Sequence, residues 1–157
     1  VVIGRVDAPG AIRFDAALGR REKPHCSGVG KVLLAAMPRP AALSLLERVG
    51  YPARTPKSLT SIAALSDDLD RIAARHYAID DEEDHEGIIC VAAGVFGRGG
   101  QTLGAISVTT LKQLLPLEQV PTIAEPLVRH ADLISRALGG PSAQEAWALR
   151  PLTEARL

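Results

Sequence analysis

Aromatic side chains are almost missing from this chain: two Phe, two Tyr and one Trp make up 3% of its 157 residues. That scarcity excludes the base-stacking platforms on which single-strand nucleic-acid binders rely. An excess of either charge is missing too, since 18 basic residues balance 18 acidic ones. A neutral chain lacks the electrostatic footprint of a domain that grips DNA directly. Two cysteines, Cys26 and Cys90, are too few for a disulfide scaffold and lack metal-site spacing. A reducing, cytoplasmic setting is the expectation, with neither metal nor cofactor. No apolar run approaches the roughly 20 residues that span a bilayer, and no signal peptide is visible, so no membrane partner is expected. Repeats and low-complexity tracts are absent. The first residue is Val1 rather than Met, as expected of a piece excised from something longer.

What is present is aliphatic. Hydrophobic residues reach 46%, and a chain of this length can bury a real core of Ala, Val, Leu and Ile. "VVIGRV" (1–6) and "AIRFDA" (11–16), separated by Ala8-Pro9-Gly10, read as two strands joined by a turn. "SGVGKVLLAAM" (27–37) predicts a helix capped by Ser27 and ended by Pro38, and 39–50 a second one stopped by Gly50. Ile62, Leu65, Leu69 and Ile72 recur at helical spacing behind a Thr60 or Ser61 cap. Tyr77–Asp80 reads as a strand, and Ile88–Phe96 with Thr102–Thr110 as a hairpin around "GRGGQ". Ile123, Leu127, Ala131, Ile134 and Leu138 mark a long helix, with an irregular first turn because of Pro121 and Pro126. Residues 141–157, with the only Trp, read as a tail that is loosely held or packed against another copy. Helices interleaved with antiparallel strands imply an α+β domain over 1–140.

The hairpin has one bulky face and one small face. Pairing Gly97 with Thr102 puts Cys90 opposite Thr109, Ala92 opposite Ser107 and Gly94 opposite Ala105. The other face carries Ile89, Val91, Val95, Ile106 and Val108, a core for helices to cover. Interiors tolerate few voids, so the small face must meet bulky helix side chains, another subunit or a ligand. Ser107 and Thr109 offer hydroxyls, Asp80 offers a carboxylate, and "HCSGVGK" (25–31) brings helix-start amides that attract anions. Gly28 and Gly30 would let a small acid approach the backbone. These groups describe a closed pocket for a small organic acid, with a hollow between Gly28 and Cys90.

Six carboxylates fall between Asp80 and Glu86, immediately before the most apolar strand. The run is either a solvated loop or the rim of something the strand encloses. A metal module at Asp80–Glu86 lacks the Gly spacing of an EF-hand. An enzyme reading would take Cys90 as nucleophile and His25 or His85 as base, with no such geometry visible in the sequence.

Three stretches together resemble the C-terminal effector-binding domain of the IclR family of bacterial transcriptional regulators: "KPHCSGVGKVLLAAM", "RTPKSLTSIAALSDDLDRIAARHYAIDDEEDHEGIICVAAGVF" and "GRGGQTLGAISVTT". The resemblance covers about Val1 to Gly140. It implies a GAF-like fold, a curved antiparallel sheet flanked by helices, and a regulator rather than an enzyme. It also implies a homodimer or homotetramer that reaches DNA only through an upstream winged helix-turn-helix absent from this chain. Effector contacts carried over by the resemblance are the amides around Gly28 and Val29, then Asp80, Cys90, Ser107 and Thr109. Departures are Gly94 and Gly97 where the family commonly has Pro and Asp, Thr109-Thr110-Leu111 for the usual S-G-P, and His76 for a frequent Gly.

Overall fold

A computed structural model describes residues 1–9, 13–14 and 16–149. Three helices lead: α1 (Gly28–Ala35), α2 (Arg39–Val49) and α3 (Ile62–Arg75). An antiparallel sheet follows in the order β1 (Tyr77–Asp81), β2 (Ile88–Phe96) and β3 (Thr102–Leu111). Two short 3-10 turns then lead to α4 (Val120–Ala137) and α5 (Ala143–Ala148). This is the α+β arrangement expected, with helices on both faces of the sheet.

Local chemistry fixes the boundaries. Ser27 caps α1 by accepting from the Gly30 amide, and Ser61 caps α3 by accepting from Ala64. His76 ends α3 in the left-handed region at φ 68°. A Cβ is strained in that conformation, which a glycine would adopt freely.

The hairpin register agrees with the sequence reading at Cys90 with Thr109, Ala92 with Ser107 and Gly94 with Ala105. At its closed end a bulge between Val95 and Phe96 sets Thr102 opposite Phe96, not Gly97. One core lies under α4, where Val120, Ala124, Leu127 and Ala131 cover Ile89, Val91, Ala93 and Val95. Burying each such Val, Leu or Ile side chain stabilises the fold by about 1.5–3 kcal/mol. The second core lies under α1 and α3, where Val32, Leu65, Leu69 and Ile72 gather with Ala78, Ala92 and Phe96.

Three expectations are corrected. Residues 1–9 form no strand, and Ile3 and Val6 stand 93% and 97% exposed. Its backbone bonds among the described residues link Val2 to Gly19 and Arg20, and a lone two-stranded ribbon is marginal in water. Part of 11–16 lies outside the described residues. Val108 does not fill the core but is 40% exposed, since α4 lies along β2. Finally, the segment after Gly140 is not loosely held up to Leu149. Ser142 and Glu145 form a reciprocal capping box for α5, and Trp147 packs edge-to-face on Phe96 at 6.0 Å. The rest of the tail, 150–157, lies outside the described residues.

Candidate functional site

Asp80, Cys90 and Thr109 form one row across the three strands, because Asp80 pairs with Cys90 and Cys90 with Thr109. The start of α1 sits on the middle of that row. A Cβ built on Gly28 would lie 3.2 Å from Cys90 Sγ and 3.2 Å from Ala92 Cβ, tight contacts that glycine avoids as the helix descends onto the sheet. Behind it, a Cβ on Gly30 would meet Pro24 Cα at 2.5 Å. Two glycines thus seat the helix start between the preceding loop and the sheet.

This seating overturns the expected hollow between Gly28 and Cys90. No space wide enough for a ligand exists there, because missing side chains have drawn helix and strand together. The row opens instead at its far end. Ser107 and Thr109 on β3 are exposed, and Val29 is half-buried beside them on α1. Gly30 N is taken by Ser27 Oγ and Lys31 N by Ser27 O, whereas the Gly28 and Val29 amides keep no partner among the described residues. The six residues are therefore neighbours, arranged as an open shelf along β3 rather than a closed pocket.

Cys90 is 9% exposed and lies opposite Thr109, and the Thr109 and Ser107 hydroxyls favour its thiolate. Burial pushes its pKa up to about 11, outweighing those hydroxyls, so at neutral pH it is a thiol and a poor nucleophile. Cys26 is held still higher by burial and by Asp84, to which it donates at 3.4 Å. His25 is fully buried with its Nε2–H donating to Pro52 O at 3.0 Å, and burial lowers its pKa. The histidines considered as bases are engaged elsewhere: His25 bonds to Pro52, and His85 is ion-paired to Asp84 at 3.3 Å.

The acidic run proves to be folded structure rather than a solvated loop. Asp80, Glu83 and Asp84 are 6%, 7% and 8% exposed. Asp80 Oδ1 accepts from the amides of Glu83 at 2.8 Å and Asp84 at 3.3 Å, which closes the turn after β1. Ser58 and Thr55 hydroxyls donate to the Glu83 and Glu82 carbonyls, each at 2.6 Å. Counter-charges arrive from distant segments: Arg54 on Asp84, Lys57 on Glu82 and Lys112 on Asp81.

Lys31, which the sequence reading passed over, is the central one. It is fully buried in α1, ion-paired with Glu83 and 2.9 Å from Asp68 Oδ2 on α3. One signal could have found it, a lone lysine in the otherwise small and apolar run of α1. Burial pushes Asp80 up to about 6 and Glu83 up to about 7. No cluster of metal-ligating side chains occurs among the described residues. No helix there is long and apolar enough to cross a membrane.

Comparison with known proteins agrees with this layout. The family model described as bacterial transcriptional regulator IclR C-terminal matches residues 1–136. The HTH-type transcriptional regulator XynR of Escherichia coli K12 is 32% identical over 142 residues, covering 90% of this chain and 56% of that protein. The solved C-terminal domain of E. coli KdgR is 32% identical with a TM-score of 0.73, over 80% of this chain and 77% of that one. Thermotoga maritima IclR aligns with a TM-score of 0.80 at 28% identity, over 85% of this chain and 54% of that one. The chain spans about half the length of the curated relatives it matches. These relatives are transcriptional regulators, not enzymes.

Proposed function

Since the chain belongs to the IclR family through that family's C-terminal domain, we propose that it senses a small organic acid and so governs DNA binding by an upstream winged helix-turn-helix. The effector lies on the shelf between the start of α1 and β3. Its carboxylate takes the free amides of Gly28 and Val29, where the helix dipole favours negative charge. Ser107 and Thr109 donate or accept at its other polar atoms, with the Cys90 thiol beneath. Asp80 acts by holding the acidic turn, since an ionised carboxylate beside an acid would repel it. The observation that carries this reading is the cross-strand row Asp80–Cys90–Thr109, capped by Gly28 and exposed at Ser107 and Thr109.

Effector binding shifts the regulator only through unequal affinity for two arrangements of the acidic turn and of the contact between copies. Self-association as a dimer or tetramer has apolar surface available at the end of α4, where Leu133, Ile134 and the capping Leu138 are exposed. Two unpaired cysteines suit the cytoplasm. Titration calorimetry with small aliphatic and hydroxybenzoic carboxylates tests the site. Ser107→Ala should weaken the acid that binds by about tenfold, the size of one lost hydrogen bond to a charged group, and Asp80→Ala should weaken it too by removing the acceptor that closes the turn. Equal affinity in both variants would sink the assignment.

A further inference from the structure

The far side of the sheet carries a second opening. Tyr77 of β1 pairs with Ala93, so it belongs to the face covered by α4, opposite that of Cys90 and Ala92. Beside it a cleft of about 340 Å³ is lined by Arg75, Tyr77, Ala124, Glu125, Val128 and Arg129. That volume lies within the range of small-molecule sites.

The cleft is apolar on one side and charged on the other. Ala124 and Val128 stand four residues apart on α4, as do Glu125 and Arg129, so the helix offers it two parallel rows. Arg75 is already engaged. Its Nε donates to Tyr77 O at 2.8 Å, its guanidinium lies 5.1 Å over the Tyr77 ring, and it reaches Asp68 at 3.9 Å. Glu125 and Arg129 are exposed, and among the described residues neither side chain has a hydrogen-bond or ion-pair partner. The Tyr77 hydroxyl has no hydrogen-bond partner there either. A Glu four residues before an Arg ordinarily pairs with it on a helix, yet these two stand apart at the mouth of the cleft. An exposed pair of this kind is worth little, so a ligand that engages both charges forfeits almost nothing.

We propose that this cleft binds a free α-amino acid with an apolar side chain. Arg129 and the Tyr77 hydroxyl take its carboxylate, Glu125 takes its ammonium, and Ala124 with Val128 receives its side chain. A plain carboxylate leaves Glu125 facing a like charge, and a plain amine does the same to Arg129. A dianion meets one free guanidinium and is repelled by Glu125. The cleft and the shelf between α1 and β3 lie on opposite faces of the sheet, so this site stands without the effector site proposed above.

Backbone-amide NMR of the nitrogen-labelled chain tests it, with L-leucine and L-phenylalanine as probes. L-leucine should shift the amides of 75–79 and 124–129 saturably while those of 27–30 and 105–109 hold still. Isocaproate keeps the carboxylate and the apolar body without the ammonium, and isoamylamine keeps the ammonium without the carboxylate. Each should bind about tenfold more weakly than leucine, as should leucine to Glu125→Gln or Arg129→Gln, whose positions are exposed. Absence of a saturable shift with either amino acid would overturn the site, and so would shifts centred on 27–30 and 105–109. Isocaproate binding as tightly as leucine, or variants binding leucine as tightly as wild type, would overturn it equally.

Discussion

The two faces of one small sheet solve opposite problems. Towards α4, β2 presents Ile89, Val91 and Val95 to an apolar helix stripe, and every member of that cluster is hydrophobic. Towards α1, the same strand presents Cys90, Ala92 and Gly94, and the helix closes the distance through Gly28. Giving up volume on that side brings backbone amides, a thiol, two hydroxyls and a buried ion cluster within a few residues of one another. The bulky face holds the sheet, and the thin face carries the polar groups of the proposed site.

Breaking that division should hurt most at Lys31. Lys31→Met strands Glu83 and Asp68 without their ammonium and should cost about 3–5 kcal/mol in urea denaturation followed by circular dichroism at pH 7.5. Ile89→Ala, on the bulky face, should cost about 2–5 kcal/mol yet leave the pKa of Glu83 where it was. A shift of Glu83 in that variant would mean the two faces are not independent.

Gly28→Ala forces a methyl against Cys90 Sγ and Ala92 and should destabilise by about 1–3 kcal/mol. If that variant instead keeps wild-type stability, the helix is not seated by close approach. His76→Gly should be the mildest change and in the favourable direction, raising stability by about 1 kcal/mol because the left-handed φ no longer strains a Cβ. A drop in melting temperature would show that the imidazole makes a contact worth more than the strain.

Periodicity and capping made most of the fold legible. Ser27 and Gly50 bound their helices as read, and Ser61 is the one of the two offered caps that holds α3. The register taken from a Gly97–Thr102 pairing holds from Cys90 to Gly94, although the closed end itself is shifted by the bulge. What escaped was whatever depends on partners far away in the chain. The charges that turn the acidic run from loop into core come from Lys31, Arg54, Lys57 and Lys112, up to 52 residues distant. The small face was recognised, but not which of its permitted partners would fill it. Glycines that admit a ligand also admit a helix, and at Cys90 the helix arrived. Val1–Val6 carries strand-forming residues, yet strand propensity means little without a neighbouring edge to pair with. Trp147, read as loose or packed against another copy, found a place within its own chain because Phe96 offers a ring at the sheet's end.

That last contact equips the molecule with its own optical gauge. The sole indole stacks against the ring that terminates β2, so its emission reports on that corner alone, undiluted by any other tryptophan. Detachment of α5 would redden the fluorescence before the interior melts. Coincidence of that colour change with the loss of helical ellipticity would instead mark α5 as a full member of the cooperative unit.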